Sequence, residues 1–250
     1  MFCLLSGAVY LVNDLVDLEQ DQLHPVKRQR PLASGRLSPR VAGTAVALLL
    51  VVGLAGSFGL GASFGVTAFL YFGLMICYSL LLKNMVILDV LTLSFGFVLR
   101  AIAGAVAIGV AFSNWLLVCT MLLALFLSLT KRRHELTLLA GGAAEHRRIL
   151  GEYSPYLLDQ MIAVVTASTV LSYALYTQSP ETVFKFGTDR LVWTLPFVLY
   201  GIFRYLYLVH QRDEGGNPSL VLFNDRPLLA AVGLWTVAVI AIIYHFGEPG

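Results

Sequence analysis

Charged residues are what this sequence has least of. Only 13% of its 250 residues are Asp, Glu, Lys or Arg, about half of the roughly 25% usual in soluble domains. A water-soluble globule of that composition would expose too much apolar surface. Cysteine is scarce as well. Cys3, Cys77 and Cys119 stand singly in apolar segments with no CxxC or Cys/His spacing, which argues against a disulfide framework and a zinc site. The chain opens without a basic segment, so it does not begin with a secretory signal peptide. His24, His134 and His146 fall in loops with no nucleophile at motif spacing, which leaves a Ser/His or Cys/His hydrolase unsupported. The composition also argues against disorder and a coiled coil.

What is present in quantity is apolar sequence. Hydrophobic residues make up 58% of the chain, and the mean hydropathy is +0.77. A helix needs about 20 mostly apolar residues to cross the hydrocarbon. Seven segments qualify, roughly 41–60, 62–82, 88–110, 115–129, 156–177, 191–209 and 228–246. An eighth, 1–12, is too short to span alone and runs directly into charged sequence. The expected fold is an all-α polytopic membrane bundle, one transmembrane domain over residues 1–250.

The basic residues orient it. If the spans alternate, 14 of the 17 Lys and Arg residues fall on one side: Lys27, Arg28, Arg30, Arg36, Arg40, Lys83, Lys131, Arg132, Arg133, Arg147, Arg148, Arg204, Arg212 and Arg226. Lys185 and Arg190 fall on the other, and Arg100 inside a span. The positive-inside rule makes the rich side cytoplasmic. Met1 then lies outside. Either the N-terminus is translocated, or an upstream helix is absent from this chain.

The most informative stretch is Asn13-Asp14-Leu15-Val16-Asp17-Leu18-Glu19-Gln20-Asp21. At about 100° per residue, Asn13, Asp14, Asp17 and Asp21 share an arc of about 100° on a helix, and Glu19 faces away. Three carboxylates on one stripe repel unless something positive meets them. All-oxygen ligands favour a hard cation, and Mg²⁺ commonly takes one or two carboxylates plus substrate phosphates. The stripe therefore suits metal-bridged phosphate at the mouth of a membrane cavity. A solvated helix end paired with nearby bases accounts for the charge pattern equally well. The EF-hand spacing is missing.

Pro25 and Pro31 bracket Lys27, Arg28 and Arg30. Proline favours an extended or turned chain, so these cations are presented from a loop. Arg offers phosphate a planar fork and Lys a point charge. Flanking positive charge alone would explain these bases, though not the acids beside them. Tyr78, Lys83 and Asp89 lie at the same membrane surface. Taken singly, Lys83 is an interfacial anchor and Asp89 a favourable helix-start acid. Arg100 lies about 16 Å deeper than Asp89, where an Arg costs at least about 2.5–3.5 kcal/mol and must face the bundle interior or a wet cavity. A phosphate ligand and a structural pairing are weighed equally for it. Lys131 and Arg132, just past the 115–129 segment, stand within reach of a phosphate at that surface. The short loop Gly141-Gly142-Ala143-Ala144 is too short for a domain linker.

NDLVDLEQD followed by HPVKRQRPLASGRLSP resembles the first aspartate motif of the UbiA superfamily of intramembrane prenyltransferases. The resemblance is closer to its decaprenyl-phosphate phosphoribosyltransferase branch. YSLLLKNMVILDVLTLSFGFVLRAIAGA, SLTKRRHEL and RYLYLVHQRDEGGNPSLVLFNDRPLL also look like that branch. The resemblance implies nine helices around a cytoplasm-facing cavity, about eight of them here with the first missing. It implies transfer of phosphoribose from phosphoribosyl diphosphate to a polyprenyl phosphate, with Mg²⁺, in the plasma membrane and with no nucleic-acid partner. By position, Asn13, Asp14, Asp17 and Asp21 would hold metal and diphosphate, and Lys27, Arg28 and Arg30 would neutralise phosphate. Tyr78, Lys83 and Asp89 would form the second half. General prenyltransferases of the superfamily carry a second DxxxD motif, whereas here no acid follows Asp89 until Glu135. That favours the phosphoribosyl branch. The alternatives are transfer of a polyprenyl group from its diphosphate to an aromatic or lipid acceptor, and a transporter. A transport path usually needs polar groups through the span, and only Arg100 lies at mid-depth.

Overall fold

The structure, a computed structural model, describes residues 1–23, 26–110, 113–138, 148–212 and 215–247. Pro25, expected to open the basic loop, lies outside them, as do His24, His146, Arg147 and the Gly141–Ala144 loop. Every regular element among the described residues is helical. The long helices are α1 (Phe2–Val16), α3 (Pro39–Leu60), α4 (Ala62–Leu80), α5 (Leu88–Ile108), α6 (Asn114–Leu138), α7 (Pro155–Gln178), α9 (Leu195–Gln211) and α11 (Arg226–Phe246). Short helices α2 (Leu18–Leu23), α8 (Pro180–Phe186) and α10 (Pro218–Asn224) lie between them. Seven are long and apolar enough to cross a membrane, the ninth helix counted from Arg190 with its preceding 3-10 turn. They match the seven expected segments to within a few residues, except that α6 continues from Leu129 to Leu138, through the basic residues. The helix α1 has 15 residues, or about 22 Å at 1.5 Å per residue, and falls short of a full span.

Local chemistry starts these helices. Ser38, Ser154, Ser179, Asn217 and Asp225 each cap a helix N-terminus by accepting from an amide two or three residues on, and a proline follows within two residues. The cap satisfies an orphan amide, and proline supplies a preset φ where no donor is needed. The hairpin between α3 and α4 turns on Gly61 alone, at φ 147° and ψ 148°, a conformation open to a residue without Cβ. Hydroxyls within the helices bond back to carbonyls one turn earlier, as in Ser57 to Gly53, Thr92 to Leu88 and Ser94 to Val90. These buried hydroxyls are thereby satisfied within their own helices.

The chain divides into two compact units, Met1–Phe112 with Leu139–Tyr153, and Ser113–Leu138 with Ser154–Gly250. In the first, α1 runs antiparallel to α3: a Cβ on Gly53 would come within 2.8 Å of Leu5, and one on Gly56 within 2.6 Å of Met1. Leu5, Val9, Ala68, Tyr71 and Met75 form its buried core, with Leu50, Leu54 and Leu99 packed on it. Outward residues such as Leu48, Val51 and Phe69 are exposed, as lipid-facing side chains of a span must be. In the second unit, α6 and α7 pack side by side. Trp235 donates to the Tyr173 hydroxyl at 2.8 Å, and Phe126 lies 5.4 Å from the Tyr205 ring.

Candidate active site

The acids, Lys83 and Asp89 gather at one end of the first unit because the helix directions alternate. Helix α1 ends at Val16, Asp17 takes φ −94° and ψ 10°, and α2 begins at Leu18. The expected stripe is thus a helix interrupted at Asp17. The break is shallow, since Asp17 N still bonds Asn13 O at 2.9 Å and Asp21 N bonds Asp17 O at 2.8 Å. Asp14, Asp17 and Asp21 remain on one side, while Glu19 is exposed.

The three carboxylates divide two and one. Arg30 Nη1 donates to Asp14 Oδ1 at 2.7 Å and to Asp21 Oδ2 at 2.8 Å. Lys83 Nζ, nearly buried, pairs with Asp17. Mutual repulsion explains the division, because each acid is stable beside the nearest cation. Burial pushes the Asp14 carboxyl above its ordinary value of 3.8; Arg30 opposes that shift, and Asp21 and Asp17 add to it.

Arg30 is delivered by the basic loop. A 3-10 turn, Lys27–Gln29, leads into it. Leu32 is buried and pins the loop, and Arg36 Nη2 donates to Gln29 O at 3.0 Å. Lys27 is half-buried and Arg28 exposed. Asn13 and Tyr78 are half-buried on the helices that carry Asp14 and lead to Lys83. Asp89 is completely buried and accepts from the Tyr153 hydroxyl at 2.8 Å.

Arg100 stands apart from this group. Its Nη2 donates to Ser6 Oγ at 2.9 Å and to the Tyr71 hydroxyl, and its guanidinium lies 5.0 Å from the Tyr71 ring centre. It ties α1, α4 and α5 together at depth. In the second unit, Lys131 is exposed, whereas Arg132 is buried and paired with Glu135. Arg133 and His210 both reach Asp159, at 2.6 and 3.2 Å.

Among the described residues, no group of three or more His, Cys, Asp or Glu side chains is close enough to hold a metal. The two carboxylates that converge on the Arg30 nitrogen nevertheless fit Mg²⁺, which takes one or two carboxylates and completes its shell with phosphate and water. Arg30 marks where such a cation would be held. Sequence reasoning missed Tyr153 and the partners of Arg100. Depth was the available signal for Ser6 and Tyr71, because counting back from Asp14 and Lys83 puts both about 12–18 Å in, near Arg100.

Helices long and apolar enough to cross a membrane, with acids paired to bases at one end of the first unit, define a polytopic membrane protein. A profile of the UbiA prenyltransferase family matches residues 1–224, and the chain belongs to that family. It is 34% identical over 250 residues to the decaprenyl-phosphate phosphoribosyltransferase of Corynebacterium glutamicum, covering 98% of this chain and 74% of the relative. It is 31% identical to the enzyme of the same name from Mycolicibacterium smegmatis, covering 98% and 78%. The solved structure of a UbiA homolog from Archaeoglobus fulgidus bound to GPP and Mg²⁺ shares the fold, with a TM-score of 0.74 at 18% identity, over 97% of this chain and 85% of that one.

Proposed function

We propose that this chain transfers phosphoribose from phosphoribosyl diphosphate to a polyprenyl phosphate and releases diphosphate. The observation that carries the reading is the convergence of Asp14 and Asp21 on one cation, directly beside a basic loop, in a chain similar to two enzymes named for phosphoribosyl transfer to decaprenyl phosphate. The bond from ribose C1 to the diphosphate oxygen breaks, and a bond from C1 to an oxygen of the lipid phosphate forms on the opposite face. Asp14 and Asp21, with Asp17 next to them, would hold Mg²⁺, which when bound neutralises charge on the leaving diphosphate. Arg30 would offer its fork to phosphate oxygens, and Lys27, Arg28 and Lys83 would add positive charge where negative charge develops. A phosphate monoester is already anionic near pH 7, so the acceptor needs no strong general base.

The lipid acceptor enters from the bilayer. We place the site on the cytoplasmic face of the membrane, on the strength of the basic residues that alternate with the apolar segments along the sequence. Prenyl transfer from a prenyl diphosphate is the second reading, favoured by the GPP held by the Archaeoglobus fulgidus homolog. Membranes containing the protein, supplied with either labelled donor and with polyprenyl phosphate, separate the two. Label from phosphoribosyl diphosphate is expected in the lipid fraction, and label only from the prenyl donor would overturn the reading. Asp17→Ala is expected to lower Mg²⁺-dependent transfer at least about a hundredfold with normal membrane insertion. Normal turnover would sink the metal assignment.

A further inference from the structure

Tyr153 ends the short segment after the 3-10 turn Arg148–Glu152 and is 4% exposed. Its hydroxyl donates to Asp89 Oδ1 at 2.8 Å and accepts from the Ile87 amide at 2.7 Å. Ile87 has φ 70° and ψ −43°, the one positive φ at a non-glycine position among the described residues. A β-branched side chain is strained there. The turn around Ile87 joins two parts of the site: Lys83, paired with Asp17, precedes it, and Asp89 opens α5 after it. One hydroxyl therefore holds both the strained residue and the helix start.

We infer that Tyr153 is a positioning residue. Its hydroxyl locks the turn between Lys83 and α5 in its strained form and so sets the Lys83 ammonium against Asp17. Asp89, fully buried, works through this clasp as its acceptor. The inference deepens the proposed function, on which its kinetic consequence rests; its structural consequence stands without it.

The first test is hydrogen exchange of the 85–91 amides in the full-length protein with no substrate present. Tyr153→Phe keeps the ring and removes the hydroxyl. Exchange at Ile87 is expected to speed by about tenfold, the scale of one lost hydrogen bond, while the middle of α5 is unchanged. Unchanged exchange at Ile87 would overturn the clasp. Should that variant fold poorly, Asp89→Asn, which keeps an oxygen acceptor, and Asp89→Leu, which does not, decide the matter. Slow exchange in the first and fast in the second supports the clasp, and equal exchange in both refutes it. The second test is kinetic. Tyr153→Phe is expected to raise KM for phosphoribosyl diphosphate about tenfold and to add nothing on a Lys83→Ala background. Additive effects would mean that Tyr153 does not act through Lys83. If the wild type transfers no phosphoribose at all, the functional reading falls and the exchange measurements alone decide the inference.

Discussion

At the scale of single residues, the candidate site is a set of charges that neutralise one another. Arg30 spans Asp14 and Asp21, and Lys83 holds Asp17. Removing Arg30 leaves two facing carboxylates uncompensated. Arg30→Gln is expected to lower transfer at limiting phosphoribosyl diphosphate and, because Arg30 occupies the position between Asp14 and Asp21 that a cation would take, to lower the Mg²⁺ concentration needed for half-maximal rate, as read from a Mg²⁺ titration. Ile87 offers a test of strain. Its side chain is 45% exposed, so Ile87→Gly sacrifices little packing. Relief of about 1–3 kcal/mol of backbone strain should outweigh the cost of about 0.5–1 kcal/mol for a glycine. The thermal midpoint in detergent is expected to rise. The acids and bases here were legible as residue types and spacings, and so was a pairing of the stripe with nearby bases, which Arg30 makes. The Lys83–Asp17 pair was not, because the two are 66 residues apart and nothing in a linear spacing ties them.

At the scale of elements, close approach and capping decide the packing. The α1–α3 contact depends on Gly53, where a Cβ would already meet Leu5 at 2.8 Å. Gly53→Leu is expected to destabilise the protein by about 1–3 kcal/mol through overpacking, measured as a lower melting temperature, while Gly53→Ala loses less. Asp225 caps α11 by accepting from the Leu228 amide at 2.8 Å, and its two oxygens take the Arg204 fork at 3.1 and 2.7 Å. The Arg204 hydrogen bonds hold its carboxyl below the ordinary 3.8. With the folded value depressed, the stabilisation is complete above 3.8 and is lost as pH falls through the lower folded value. Melting curves of the wild type should decline below pH 3.8 more steeply than those of Asp225→Asn. The helix boundaries were legible in the apolar runs. The break at Asp17 was not, because no proline or glycine marks it.

At the scale of the whole chain, the alternation of basic and apolar segments makes a topology that can be checked directly. With Cys3, Cys77 and Cys119 replaced, Arg28→Cys and Lys185→Cys are expected to react with an impermeant thiol reagent from opposite sides of the membrane. Labelling of both from one side would overturn the alternation. The apolar runs by themselves determined that the chain is a helical membrane protein, with seven helices long and apolar enough to span among the described residues. The acid and base motifs by themselves determined where to look for chemistry and which family they resemble. Only the tertiary structure decided how the charges are shared out. It gave two carboxylates to Arg30 and one to Lys83, buried Asp89 under Tyr153, and set Arg100 against Ser6 and Tyr71. The physical reason is that span formation is a local matter of hydropathy and backbone hydrogen bonding. The partner of a buried charge depends on which side chains distant in sequence the packed helices bring within 3 Å.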